Sequence, residues 1–443
     1  MPVWYETLKP FVNENKVVIL GVVQEQHASR TRLYRQWGKY DFPIVQDPMT
    51  KLGMRAVPLI IAIDEQGIVR GTKLRPNQVD SQFLSVDYAK QSPLNQKQLD
   101  PEFQNRLLSA SRPLQEVRDR VTADPSYLSQ INLADALILK ALSDTHRRAN
   151  QAKSTDVAEP PNKGDNYENT QMQQAVLESV KQIQEAISLY KTVYEGSENP
   201  SVAFRLAVAY RMAFDSEGAA PLDFANASKF WTQALSKDPN QYIWRRRIEQ
   251  YGPRMNKPYP FYDWIPTAQK EVAERGEIPW PQTVALTDSE LAQPARGDWE
   301  SQPMVNPDPE TRITRSPLGI VRVDSTMVPY RLKPTQTGRL HLQFSIRRSK
   351  WNHESEPLMV WLEPNPNVQL QTNRLNPQNA LRLIATSSLP QTVEVDLTIS
   401  KDFNAASDGI ELRGFALFNR CVDESGVCVY ERFDFRVQIP VEQ

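Results

Sequence analysis

The chain has 443 residues, which is more than one hydrophobic core usually holds and predicts about three domains. Apolar residues make up 40% and charged residues 24%, a composition that is typical of globular proteins and excludes a wholly disordered chain. The 52 Lys and Arg balance 53 Asp and Glu, so no overall field favours nucleic acid, an anionic membrane or an acidic substrate.

The first residues, MPVWYETLKP, lack the basic and apolar regions of a signal peptide. No window of the chain approaches the ~18 uninterrupted apolar residues that span a bilayer. Taken as written, the sequence predicts a soluble, unexported protein without a membrane span.

The amino-terminal region has the pattern of a βαβ unit. The run KVVILGVVQE from Lys16 is apolar and β-branched, which predicts a strand buried on both faces of a parallel sheet. A helix is predicted over TRLYRQWGKYD, capped at Ser29 or Thr31, with Leu33 and Trp37 one turn apart on the face that docks on the sheet. The next apolar segment, FPIVQD, is the predicted second strand.

A hairpin is predicted next, with the strand LIIAI, a turn from Asp64 to Gly67 and a return strand. This order of elements, over roughly residues 4–75, resembles the redoxin (thioredoxin-like) family, which includes thiol peroxidases and periplasmic thiol-disulfide proteins. The resemblance implies a thioredoxin-like domain over residues 1–90 and a cis peptide bond at Val57-Pro58. The alternative is an ordinary trans proline at the start of an edge strand, the commoner state of any single X-Pro bond.

The redoxin family carries its reactive cysteine between the first strand and the first helix, and this region has none. The segment WYETLKPFVNEN resembles the latter part of that helix, which implies that the first strand of the domain is missing. Because a thiolate is the nucleophile in redoxin chemistry, the domain as written is predicted to be inactive. Either the true start lies upstream, with an export signal, missing cysteines and a periplasmic or other extracytoplasmic location, or the domain has lost its chemistry.

A cluster of polar residues follows the first predicted strand, where α/β sheets place ligand-binding groups. It comprises Gln24, Glu25, Gln26 and His27. One interpretation is a functional polar loop, and the other is a solvated strand-to-helix connection, since a histidine without a nucleophile to activate does little.

Residues 100–280 are predicted to be mainly helical, interrupted by a polar loop over KSTDVAEPPNKGDNYENTQ. Two segments share one apolar template on a helical face, and a small-and-aromatic helix lies between them. This pattern resembles one to two degenerate tetratricopeptide repeats. The matching residues are Ala186, Tyr190 and Val193, then Leu206, Ala207 and Tyr210, then Ala227, Trp231 and Ala234.

Such repeats commonly bind a partner peptide in a groove, and the arginines at 245–247 could supply charge to a protein or peptide partner. The alternative is a helical spacer with solvated arginines. The aromatic stretch KPYPFYDWIP is predicted to pack between domains.

Residues 281–312 are rich in proline and polar residues and predict an extended connector. Residues 313–443 then alternate apolar and polar residues in several short runs, which predicts an antiparallel β-sandwich. The predicted strands are RLHLQFSIRR, LMVWLEP, TVEVDLTI, GIELRGFALFNRCV and VCVYERFDFRVQIPV.

The two cysteines of the chain, Cys421 and Cys428, flank VDESGV between the last two predicted strands. If Glu424 and Ser425 form the hairpin loop, the cysteines lie directly opposite each other, within disulfide range. Closing so short a loop stabilises the fold by roughly 2–3 kcal/mol, so a large β-domain hardly depends on the bridge.

Residues 315–443 resemble the amino-terminal domain of periplasmic thiol:disulfide interchange proteins, whose hairpin cysteine pair shuttles between dithiol and disulfide. The resemblance implies an immunoglobulin-like sandwich for residues 313–443. The resemblance implies a redox role for Cys421 and Cys428, and the alternative is a structural bridge. The chain departs from the family in the six residues between the cysteines and in lacking the aromatic-proline run after the second one. WNHESEPLMVWLEP, with Trp351 and His353, resembles the early segment of the family, although a lone His between strands is usually solvated.

The sequence thus predicts a multidomain α+β protein, with a truncated thioredoxin-like α/β domain, a helical region and an antiparallel β-sandwich. No phosphate-loop, catalytic-triad or metal motif is visible, and no cofactor is predicted. The first functional hypothesis is thiol-disulfide or peroxide handling. The second is noncatalytic binding or assembly, in which the scaffold presents surfaces to a partner and the disulfide is structural.

Overall fold

The computed structural model describes residues 2–55, 57, 59–72, 74–88, 113–155, 166–216, 219–252, 261–282, 284, 286–287, 289–290, 305–352, 357–377, 386–387, 390–403, 409–421 and 428–442. The chain is mixed α+β and forms two compact units. The first comprises Met1–Gly218, Lys237–Ile243 and Trp264–Val284, and the second comprises Ala219–Ser236, Trp244–Asp263 and Ala285–Gln443. No helix in the described ranges is long and apolar enough to cross a membrane.

Nine α-helices lie in the described part of the chain, and two short helical turns, Pro76–Gln78 and Asp80–Leu84, follow the first hairpin. The helices are α1 (Pro2–Asn13), α2 (Ala28–Trp37), α3 (Leu114–Ala123), α4 (Tyr127–Thr155), α5 (Asn166–Ser197), α6 (Pro200–Phe214), α7 (Asp223–Lys237), α8 (Tyr242–Glu249) and α9 (Trp264–Glu274).

The strands of the described residues form four sheets. Two are two-stranded: β1 (Gly21–Val23) pairs parallel with β2 (Ile44–Gln46), and β3 (Ala62–Ile63) pairs antiparallel with β4 (Val69–Gly71). The remaining strands are β5 (Val321–Val328), β6 (Thr337–Ile346), β7 (Lys350–Asn352), β8 (Met359–Leu362), β9 (Val368–Leu370), β10 (Arg374–Leu375), β11 (Thr386–Ser387), β12 (Gln391–Ile399), β13 (Gly409–Cys421) and β14 (Cys428–Pro440).

The first unit contains the predicted β1-α2-β2 arrangement with parallel strands, and the predicted antiparallel hairpin follows as β3 and β4. The predicted helix cap is wrong. Helix α2 begins at Ala28 after His27, so Ser29 and Thr31 lie inside the helix, and no side-chain hydrogen bond caps it. Leu33 is fully buried, whereas Trp37, the other residue predicted on the sheet-facing side, stacks on Trp264 of α9.

The first predicted strand is shorter and more exposed than its sequence indicates. β1 spans three residues, and Val18, Leu20 and Val22 are 87%, 58% and 40% exposed. Val45, which lies opposite Val22 on β2, is exposed as well. The prediction of a strand buried on both faces is therefore wrong, because Val22 and Val45 leave one face of the two-stranded sheet partly exposed.

An ion-pair network fixes the helices of the first unit to the loop that follows β2. Asp135 of α4 is fully buried and accepts hydrogen bonds from Tyr190 of α5 (2.6 Å) and Arg205 of α6 (3.0 Å). Lys51 Nζ lies 3.2 Å from the same carboxylate. Burial alone would raise the pKa of Asp135, but Arg205 and Lys51 lower it. Paired in this way, a charge can remain inside a helical core.

In the second unit, two antiparallel sheets enclose one apolar cluster. The four-stranded sheet has the order β5-β6-β12-β9, and the six-stranded sheet has the order β10-β8-β13-β7-β11, with β14 beside β13. Core residues come from both sheets, among them Leu342, Val395 and Phe418. The five predicted strands are confirmed as β6, β8, β12, β13 and β14, and alternate residues of each strand project into the apolar cluster.

The outer face of the four-stranded sheet also buries polar residues of the second unit. Arg339 and His341 of β6 contact Glu394 of β12, at 3.3 Å and 3.2 Å. The His341 ring packs against Phe224, and its Nε2 lies 2.7 Å from the carbonyl oxygen of Tyr251. These partners keep charged side chains buried away from the apolar cluster.

The units do not follow the predicted boundaries of 1–90, 100–280, 281–312 and 313–443. The predicted repeat stripes are buried, but Tyr190 contacts Asp135 in the first unit, whereas Trp231 stacks on Tyr251 in the second. Within the predicted connector, Ser289 is buried and donates to Glu394 (2.5 Å). The predicted loop at 153–171 is shorter than expected, since α4 and α5 extend into it from both sides.

Candidate functional site

The most reactive group in the described residues is the disulfide at the end of the β13–β14 ladder. The two strands pair over thirteen residues, and Cys421 lies directly opposite Cys428. Their Cα atoms are 4.0 Å apart and the sulfur atoms are bonded. The Cys428 residue is exposed and Cys421 is partly exposed. A partner thiolate in solvent could therefore reach this bond.

The sheet register places polar residues beside the disulfide. Lys350 of β7 is the register partner of Cys421, and partners across a ladder project from the same face. Asn352 lies two residues further along β7 and so shares that face, and its Nδ2 donates to Cys428 Sγ at 3.4 Å. A positive charge and an amide donor both favour the thiolate over the thiol. The outer face of the hairpin thus offers groups that would stabilise a reduced pair.

The opposite face of the same strands is held by buried ionic and aromatic contacts. Arg420 forms two hydrogen bonds with Glu431, at 3.0 Å and 2.8 Å, and a third with Ser349 at 3.2 Å. The hydrogen bonds to Glu431 raise the pKa of Arg420. Trp351 is fully buried and packs edge-on against Phe418, 5.2 Å between ring centroids. The cysteines are therefore held on strands whose inner face is fixed by an ion pair and an aromatic contact.

The predicted polar loop of the first unit contacts Asp215, a residue that is distant in the sequence. His27 is buried, and its Nε2 lies 2.7 Å from Oδ2 of Asp215, which follows α6. The main-chain N–H of His27 donates to Glu25 Oε1 (2.7 Å), and Gln24 accepts a hydrogen bond from Thr50. Burial alone would raise the pKa of Asp215, but Arg211 and His27 lower it to about 2. These contacts favour a structural role for the loop.

The remaining predicted site residues are not brought to either cluster. Val57 is 53% exposed, and Pro58, the cis-proline candidate, lies outside the described residues. His353 and the hairpin loop with Glu424 and Ser425 also lie outside them. The predicted solvated arginines are in part buried: Arg247 is 6% exposed.

The sequence analysis did not identify two pairs of interacting side chains. The pairing of His27 with Asp215 joins positions 188 residues apart, so no local pattern reveals it. The Arg420 and Glu431 pair could have been predicted from the sequence, because strand alternation places both charged residues on the core side of the hairpin. A charged residue at a core position requires a buried partner.

Neither a scan against protein-family models nor a search of curated proteins finds a match for this chain. In the part of the chain that the structure describes, no three His, Cys, Asp or Glu side chains are grouped to hold a metal ion. The candidate site is therefore assigned from the geometry of the cysteine hairpin.

Proposed function

We propose that the protein takes part in thiol-disulfide exchange through the Cys421–Cys428 pair. The observation that carries the proposal is that the bonded cysteines project from the outer face of the paired strands β13 and β14, beside Lys350 and Asn352. The β1-α2-β2 unit and the β3–β4 hairpin support, as part of the same proposal, a redoxin-type scaffold at the amino terminus.

The exchange begins at Cys428, the more exposed residue of the pair. A thiolate of a partner dithiol attacks Cys428 Sγ, forms a mixed disulfide and releases the Cys421 thiolate. The second partner thiolate then attacks the partner's own sulfur atom, which releases Cys428 as a thiolate. The partner leaves oxidised and the chain is left with two thiols, so the electrons balance.

The test is the reduction potential of the pair, measured in glutathione or dithiothreitol buffers with a thiol-specific mass label. The chain contains two cysteines, so each label added reports on this pair. We expect a potential above about −300 mV, because structural disulfides typically lie below that value. A potential below it would overturn the proposal and favour a structural bridge.

A second candidate is noncatalytic binding. It is favoured by the closed contacts of His27 with Asp215, which leave the predicted polar loop engaged in the fold. In this case, the Cys421→Ser/Cys428→Ser variant would bind its partner as the unmodified chain does.

A further inference from the structure

A cleft of about 890 Å³ lies in the first unit, apart from the cysteine hairpin. Its walls are formed by α2, the strand β2, the helix α4 and the segment 277–280. Small-molecule sites commonly have volumes of ≈ 300–1,000 Å³ and combine apolar walls with a few polar groups. The cleft has the size and the mixed lining of such a site.

The charge of the lining is predominantly positive. Arg32, Arg35 and Lys39 contribute three positive charges, and among the described residues that line the cleft, Glu277 is the one acidic residue. Arg35 Nε donates to the main-chain carbonyl of Tyr40 at 2.9 Å, which orients the guanidinium without neutralising it. Burial and the charge of Arg35 lower the pKa of Arg32. An anionic ligand would relieve this repulsion.

An aromatic surface lies beside these charges. The Arg32 guanidinium stands 4.6 Å from the centroid of the Trp280 ring. Tyr40 and Leu142 also line the cleft. A flat ring could stack against such a surface, since aromatic faces and guanidinium planes both accept planar groups.

The wall that carries Trp280 is fixed before any ligand binds. The main-chain N–H of Trp280 donates to Gln36 Oε1 (2.9 Å), and Gln36 Nε2 donates to the carbonyl oxygen of Ile278 (2.9 Å). Arg275 donates to the carbonyl oxygens of Gln36 and Trp37, both at 3.0 Å. A preformed wall reduces the entropy lost on binding.

We propose that this cleft binds a small aromatic anion, with its ring on the Trp280 side and its carboxylate or phosphate on Arg35 and Lys39. Carboxylate and phosphate share the geometry that a guanidinium recognises. The assignment is separate from the redox function, because neither cysteine lies in the cleft.

The test uses the full chain and isothermal titration calorimetry with 2-naphthoate, 2-naphthyl phosphate and the neutral 2-naphthol. At least one of the two anions should bind, about tenfold or more tighter than the alcohol, which corresponds to one charged interaction. The preferred anion identifies the natural group. If neither anion binds at millimolar concentration, or if 2-naphthol binds equally well, the proposal is overturned.

Two variants check the position of the site. Arg35→Gln/Lys39→Gln should lower the affinity for the anion about tenfold. Lys191 is an exposed lysine of α5 outside the cleft, so Lys191→Gln should change the affinity less than about twofold. Glu277→Gln should tighten binding, because it removes the negative charge of the lining. That gain cannot arise from misfolding. Equal losses in the Lys191 variant and the double variant, or no gain for Glu277→Gln, would overturn the placement.

Discussion

Arg420 of β13 and Glu431 of β14 lie diagonally across the ladder on its inner face and form a buried bidentate ion pair next to the disulfide. Arg420 precedes Cys421 directly, so strand alternation directs its guanidinium to the inner face and the sulfur atom to the outer face. The hairpin therefore has an ionic contact on one side and a covalent bond on the other, and these can be tested separately.

Glu431→Gln should destabilise the second unit by about 3 kcal/mol, because it leaves the Arg420 charge buried without its counter-charge. The measurement is the free energy of unfolding in urea. Glu411→Gln is the matched control on the paired strand β13, since Glu411 pairs with exposed Arg413 at 2.8 Å. We expect the control to cost less than about 1 kcal/mol. Equal effects of the two substitutions would contradict a buried pair.

Reduction of the disulfide should leave the strands folded. The bridge closes a sequence separation of seven residues, so its loss should cost only about 2–3 kcal/mol in unfolding free energy. The far-ultraviolet circular dichroism of the reduced chain and of Cys421→Ser/Cys428→Ser should match that of the oxidised chain. Loss of β signal on reduction would mean that the bond holds the sheet together.

Asn352→Ala should slow alkylation of the reduced pair by iodoacetamide about threefold near neutral pH, because the amide no longer donates to the Cys428 sulfur. Lys350→Gln should act in the same direction through the lost positive charge. Lys333→Gln, at an exposed lysine distant in sequence from the hairpin, serves as the charge control. An alkylation rate that is unchanged in both β7 variants would show that neither residue stabilises a thiolate.

The contribution of Asp215 to stability should depend on acid pH. Its pKa falls from the usual 3.8 to about 2 in the folded chain, so the carboxylate stabilises the fold above the unfolded-state pKa. That contribution, on the order of 2 kcal/mol, is lost as the pH falls through the folded pKa. The difference in unfolding free energy between the unmodified chain and Asp215→Asn should therefore shrink between about pH 5 and pH 2.

Glu198→Gln is the control for this pH series. Glu198 also pairs with a cation, Lys237, but its side chain is 74% exposed. Salt should screen this pair, whereas it should hardly affect the Asp215 contacts. A difference for Asp215→Asn that does not vary with pH would contradict the lowered pKa of Asp215.

The sequence predicted strands β13 and β14 and the position of their cysteines. β14 alternates apolar and polar residues over 433–439, and the even number of residues between Cys421 and Cys428 places the two cysteines opposite each other in a hairpin. The β1-α2-β2 order was also predictable. The exposure of Val22 could not be predicted, because an apolar run indicates a strand but does not indicate how many other elements pack against it.

The candidate sites were harder to predict than the strands. The basic residues Arg32, Arg35 and Lys39 are visible on and after α2, but nothing in their neighbourhood indicates that Trp280 lies against them. Long-range contacts depend on how helices pack, which local periodicity does not determine.

The alternation of β13 separates the disulfide from the apolar core. The sulfur atoms share a face with Asn419 and Tyr430, whereas the side chains that fill the space between the two sheets project the other way. Two electrons can therefore enter or leave at the hairpin while the interior side chains keep their neighbours, so the oxidation state of the cysteine pair changes the stability of the fold without changing its interior packing.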